Sequence, residues 1–184
     1  MPRFNIVTQD TANADQAPLL DAVKSGLGMV PNFLGILAHS PDALQSFLGL
    51  HNIAGNGALD PAIRERIALV VAQDNACEYC LSAHSAMGRK AGLDADEIAA
   101  ARQATSADVR AEAAVQFAQA LNVNRGDITD AELAEVRAAG FSDAEIVEII
   151  THVGMNFLTN VIGKASQVDI DFPKVDLHLN QAAA

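Results

Sequence analysis

Cys77, Cys80 and His84 fall in the short run Asn75-Ala76-Cys77-Glu78-Tyr79-Cys80-Leu81-Ser82-Ala83-His84, and the chain has 2 cysteines in all. Two thiols and an imidazole this near in sequence can form a redox centre. One sulfur acts as nucleophile, the second closes a disulfide on it, and the ring moves protons. No other segment proposes a chemistry so definite.

The flanks predict a helix. At about 100° per residue, the three side chains fall within roughly 60° of one another on its circumference. Asn75 is the expected N-cap, with Glu78 completing a box-like pattern, and Gly92 is the expected stop. Both thiols then sit near a helix N-terminus, where the partial positive charge favours thiolate. Helical residues three apart have Cα atoms about 5 Å apart, within disulfide reach. The very small ring so closed is strained and readily reduced.

A preceding helix is expected from Pro61 to Gln73, with Asp60 as N-cap and Pro61 in the first position. Helices joined by so short a turn pack antiparallel. Glu65 lies about ten residues before the turn and His84 about nine after it, so the two can meet. A carboxylate there orients the imidazole and raises its basicity.

Which thiol attacks is argued two ways. The dipole favours Cys77, whereas i, i+4 spacing gives Cys80 the neighbouring base His84. A specific base outweighs a diffuse field, which selects Cys80. Other readings stand beside this one. Cys77, Cys80, His84 and Glu65 could ligate zinc, although the usual second cysteine pair is absent. The thiols could be inert core residues. Glu65, between Arg64 and Arg66, could lie on a solvated face.

The residues Arg64-Glu65-Arg66-Ile67-Ala68-Leu69 and Cys77-x-x-Cys80-x-x-x-His84-Ser85 resemble the core signature of the alkylhydroperoxidase D/carboxymuconolactone decarboxylase superfamily, and more narrowly its peroxidase-related branch. The strongest likeness runs from Pro61 to Gly92. Weaker likeness covers Val30-Pro31-Asn32-Phe33, His39-Ser40-Pro41 and Asp169-Ile170-Asp171-Phe172-Pro173. The resemblance implies an all-α fold, homo-oligomers (trimers or hexamers) and thiol-dependent reduction of hydroperoxides without a cofactor. It implies Cys80 as the peroxidatic thiol, Cys77 as the resolving one, and Glu65–His84 as the proton relay. A dithiol or lipoyl-bearing protein is the implied reductant. Lactone decarboxylation, the other chemistry in the superfamily's name, leaves the thiols unexplained. Alkylhydroperoxidases carry a second histidine where this chain has Tyr79, whose phenol, with a pKa of about 10, is no base near neutrality.

Bulk properties frame this site. The 184 residues are expected to form a single domain, with a C-terminal arm from 168 to 184 lying on a neighbouring subunit. Half the residues are hydrophobic and aromatics are 4%, which favours close-packed helices over a β-sandwich. A formal charge of −11 argues against nucleic acid or an anionic membrane as partner. No membrane-spanning run and no leader segment are expected, which makes a cytoplasmic setting the default.

Punctuation by Pro, Gly and cap residues places further helices near Gln16–Gly26, Asn32–Ala38, Pro41–Ala54, Ala95–Gln103, Ala107–Asn122 and Asp130–Ala139. A long helix opens at the Ser142/Glu145 capping box and runs to about Gln167. It carries Glu148, His152, Asn156 and Asn160 at four-residue spacing on an otherwise apolar rod. A solvated or subunit-contact face is the plain reading of that stripe. The functional one is that His152 and Asn156, with Tyr79, line a cavity over the thiols. His51 lies on a helix that could approach the site.

Overall fold

The computed structural model describes residues 2–178, and among them there is no strand. The fold is all-α: α1 (Ala17–Leu27), α2 (Asn32–Leu37), α3 (Pro41–Gly55), α4 (Pro61–Asp74), α5 (Glu78–Lys90), α6 (Ala95–Ala101), α7 (Val109–Val123), α8 (Asp130–Ala138) and α9 (Asp143–Ser166). The starts follow the capping chemistry. Ser40 accepts from the Ala43 N–H, Asp60 accepts from the Ala62 N–H, and Ser142/Glu145 form a reciprocal box. Thr129 and Glu132 form a second box on α8, a pairing the sequence reading did not single out. Gly92 and Gly140, at φ of 93° and 89°, stop α5 and α8 in the left-handed region that only glycine enters freely.

α4 is the centre. Its residues Ile67 to Ala72 are buried consecutively, as expected of a helix enclosed on every side. Leu69 and Ala72 join an apolar cluster built from α1, α2 and α5, while Ile63, Ile67, Val70 and Val71 join another built from α7, α8 and α9. α4 packs on α5, α7 and α9. The site therefore rests on the most deeply anchored helix of the chain.

α9 is turned opposite to the plain reading of its stripe. His152, Asn156 and Asn160 are 4%, 3% and 1% exposed, whereas Val147, Ile150, Phe157, Leu158 and Val161 are 43–60% exposed. The polar groups of this stripe have work inside. Glu148 accepts from the Ala58 and Leu59 N–H groups, each at 2.9 Å, and closes the α3–α4 loop. Asn160 reaches the α4–α5 turn. By length and composition α9, with a mean hydropathy of 1.3 over its apolar window, could cross a membrane, which the sequence reading expected of no segment. Here it packs against α3, α4, α5 and α7.

Residues 168–178 fold back on their own chain. Asp171 Oδ2 accepts from Asn32 N–H at 2.6 Å, the Leu177 carbonyl accepts from Gln73 Nε2 at 3.0 Å, and the Asp176 carbonyl accepts from Arg102 at 2.7 Å. Val175 N–H donates to Ser82 Oγ at 3.0 Å, and Phe172 stacks edge-on against Tyr79. Residues 168–178 thus pack against their own chain, and residues 179–184 of the expected arm lie outside the described residues.

Candidate functional site

The turn between α4 and α5 sets the position of the first sulfur. Asn75 ends α4 rather than beginning α5. Cys77 N–H donates to the Ala72 carbonyl at 2.9 Å and Ala76 N–H to the Gln73 carbonyl at 3.0 Å, with Ala76 at φ 50°. This is the Schellman pattern, with alanine in the position that usually takes glycine. The expected Asn75/Glu78 box is therefore absent, because Asn75 is already consumed as the C-cap of α4. Cys77 itself is the N-cap of α5, in extended backbone, and its Sγ accepts from the Cys80 N–H at 3.4 Å.

Both thiols are free and buried, at 1% and 4% exposure. They lie on a shared floor: a Cβ added to Gly163 of α9 would meet Cys77 Sγ at 3.3 Å and Cys80 Sγ at 3.7 Å. Their electrostatics are split. Cys77 Sγ receives the Cys80 side chain and the Cys80 N–H as donors, with His84 and Lys164 adding positive potential, so its thiol is pushed down from 9.0 despite burial. Cys80 donates to Cys77 and is desolvated, which pushes it up. Asn160 and Thr159 oppose that rise by offering side-chain hydrogen bonds. Of the pair, Cys77 is therefore the thiol more readily ionised, whereas the spacing argument favoured Cys80.

The expected carboxylate–imidazole contact is present. His84 Nδ1 and Glu65 Oε2 are 2.9 Å apart, each side chain about a fifth exposed. Gly88, one turn beyond His84 on α5, lies against the Glu65 Cβ, so the antiparallel packing of α4 and α5 holds the pair. Glu65 is thus not on a solvated face. His51 of α3 completes the surroundings. Partial burial lowers its pKa, the nearness of His84 lowers it further, and Glu65 opposes both. The structure pairs Glu65 with His84 and Cys77 with Cys80, with His84 near enough to Cys77 for its charge to favour the thiolate.

The three suggested cavity-lining residues are placed differently. Tyr79 is packed among Phe33 and Phe172, and its hydroxyl accepts from the Phe33 N–H at 3.3 Å. Asn156 Nδ2 donates to the His152 carbonyl of its own helix at 2.8 Å. His152 is desolvated, its Nε2 buried without a hydrogen-bond partner, in the electrostatic neighbourhood of Arg64, Glu148 and His51. The α9 residues tied to the sulfurs and their turn are instead Asn160, Gly163 and Lys164, whose Nζ donates to the Asn75 carbonyl at 2.6 Å. Asn160 belonged to the polar stripe and so had a sequence signal; Gly163 had none beyond being small.

Among the described residues no group of three or more His, Cys, Asp and Glu is arranged to hold a metal ion. In particular, Glu65 and His84 spend their facing atoms on each other.

Residues 41–123, which include α3, α4 and the whole of α5, match the Carboxymuconolactone decarboxylase family. Among curated proteins none matches the chain in sequence. An uncharacterized peroxidase-related protein from Silicibacter sp. TM1040 is similar over 91% of both chains, at 26% identity and a TM-score of 0.81. An alkylhydroperoxidase AhpD core, an uncharacterized peroxidase-related protein from Ralstonia eutropha JMP134, is similar over 92% of both, at 24% identity and a TM-score of 0.82. The debrominase Bmp8, solved in complex with 2,3,4-tribromopyrrole, shares the fold at 18% identity and a TM-score of 0.78, over 93% of this chain and 94% of that one. Over residues 41–123 the chain is thus similar to the Carboxymuconolactone decarboxylase family, and over nine-tenths of its length it has the fold of these peroxidase-related proteins.

Proposed function

We propose that this protein is an enzyme, a thiol-dependent peroxidase acting on organic hydroperoxides. The observation that carries the reading is the 2.9 Å Glu65–His84 contact beside two free, buried thiols that share one floor. Cys80 passes its proton along the S–H···S bond to Cys77 and attacks the distal peroxide oxygen. An S–O bond forms, the O–O bond breaks, and the departing alkoxide takes a proton from solvent water to become the alcohol. His84, oriented by Glu65, then removes the Cys77 proton. Cys77 attacks the sulfenic acid at Cys80, forming the disulfide and releasing water once the leaving hydroxide takes that proton back. A dithiol or lipoyl-type protein supplies two electrons to reopen the disulfide. Self-association in the cytoplasm completes the reading, and the exposed apolar residues of α9 support an assembly of like chains. Decarboxylation of a lactone leaves both sulfurs without a task and is not adopted.

The test is peroxide consumption with several dithiol donors, paired with thiol counting. Wild type should lose two thiols per peroxide in a single turnover. Cys80→Ser should consume none. Cys77→Ser should stop at a sulfenic acid that dimedone tags on Cys80. Wild-type turnover by Cys80→Ser would reject the assignment, and the absence of any thiol loss in wild type would reject the activity.

A further inference from the structure

Both sulfurs are buried, so a reagent or a partner's thiol reaches them only after something moves. The helices around them resist such movement. α4, α5 and α9 pack on one another, and Gly163 of α9 lies against both sulfurs, so shifting any of the three opens the close-packed core. Residues 169–177 belong to no helix and pack over the same ground. Ile170, Phe172, Val175 and Leu177 lie against the apolar cluster that holds Cys77, Cys80, Tyr79 and Leu81. The Phe172 ring is 5.8 Å, centroid to centroid, from that of Tyr79, the residue before Cys80. Val175 N–H donates to Ser82 Oγ, two residues after Cys80, at 3.0 Å.

The polar fastenings of this segment gather at its two ends. At one end Asn32 N–H donates to Asp171 Oδ2 at 2.6 Å, and Asn32 Nδ2 donates to the Asp169 carbonyl at 3.1 Å. At the other, Arg102 donates to the Asp176 and Leu177 carbonyls at 2.7 and 3.1 Å and to Gln73 Oε1 at 2.8 Å. Gln73 Nε2 donates in turn to the Leu177 carbonyl at 3.0 Å. Neither end is a matched ion pair. Arg102 is 8% exposed, yet all three of these acceptors are neutral, and Asp171 Oδ1 is buried with no hydrogen-bond partner. A desolvated guanidinium and a half-satisfied carboxylate both regain water when the segment lifts, which offsets part of what its contacts contribute.

We infer that residues 169–177 are a strap that closes over the dithiol and lifts locally, with the helices intact, to expose Cys77 and Cys80. The inference rests on the redox reading for its purpose: a protein reductant must bring its own sulfur up to one sulfur of the disulfide, which needs an open approach. Lifting of this kind is a local unfolding event, governed by the contacts of the segment itself and not by the stability of the whole chain.

The experiment follows alkylation of the reduced, desalted protein by N-ethylmaleimide at pH 7 in mass spectra. It uses neither peroxide nor reductant protein, so it stands apart from the test of activity. Wild type should react slowly, at a rate nearly independent of urea below the unfolding transition, because lifting so short a segment exposes little surface. Arg102→Leu frees one end and should raise the rate about tenfold to a hundredfold, the equivalent of one or two lost hydrogen bonds from a charged donor. Phe172→Ala should raise it in the same direction and keeps the test decisive if Arg102→Leu does not fold. Val136→Ala, in the other apolar cluster, lowers overall stability without touching the strap and should leave the rate unchanged. A wild-type rate in either folded strap variant would overturn the inference, as would an equal rise in Val136→Ala or a steep urea dependence in wild type.

Discussion

The two sulfurs leave no room above Gly163, and a single methyl group measures this. A Cβ at 3.3 Å from Cys77 Sγ is roughly 0.4 Å inside an ordinary contact. Cys77 cannot swing aside freely, because its Sγ caps α5. Overpacking of this kind costs about 1–3 kcal/mol, while alanine in place of a mid-helix glycine returns about 1 kcal/mol of backbone entropy. Gly163→Ala should therefore be destabilised by about 0–2 kcal/mol. Gly49→Ala, in the middle of α3 with open space around it, should gain the entropy alone. The two variants should melt about 2–12 °C apart, at the roughly 2–4 °C per kcal/mol of a chain this size. The assay is thermal unfolding of both variants under reducing conditions, repeated with Cys77→Ala. Removing that sulfur should shrink the gap to a small remainder. Identical melting of Gly163→Ala and Gly49→Ala, or a gap indifferent to Cys77, would refute the placement of the sulfurs.

Further outcomes follow from the same geometry. Glu65→Gln keeps a hydrogen-bonding group on His84 but removes its charge, worth about 1.5 kcal/mol in a half-sheltered pair, so single-turnover peroxide reduction should slow about tenfold at neutral pH; stopped-flow rates equal to wild type would remove the relay. Ala76→Gly relieves the left-handed alanine and should raise stability by about 1 kcal/mol in urea unfolding, provided the sulfur stays put. Burial holds His152 below its ordinary 6.5, so the unfolded chain takes up that proton first. Stability should be full above about pH 6.5 and decline as pH falls below it, at up to about 1.4 kcal/mol per unit, with His51 acting in the same direction. His152→Gln should flatten that decline in urea titrations between pH 6.5 and 5, and an unaltered slope would assign it elsewhere.

Much of the site was legible because it depends on local chemistry. Asp60 with Pro61 and Ser142 with Glu145 mark helix starts by mechanisms that hold whatever the tertiary context. The meeting of Glu65 with His84 follows from two adjacent helices and one short turn. The misread features lack such local signals. Ala76 adopts a backbone that usually advertises itself with glycine, so Asn75 looked like the start of a helix when it was the end of one. In α9, periodicity separated a polar from an apolar face, but nothing in a period says which face is inside. The polar face went inward because the α3–α4 loop and the cysteine turn need hydrogen-bonding partners there. The tail has no periodicity to read, since it is held largely through its backbone groups.

Cys77 belongs to two motifs at once: it closes the end of α4 through its N–H and opens α5 through its sulfur. No spare residue separates the two rods. Inserting or deleting one residue there would rotate everything downstream by about 100°, carrying His84 away from Glu65. Homologous chains that keep this chemistry should thus tolerate changes of residue type between Gln73 and Cys77 but hold the length of that junction fixed.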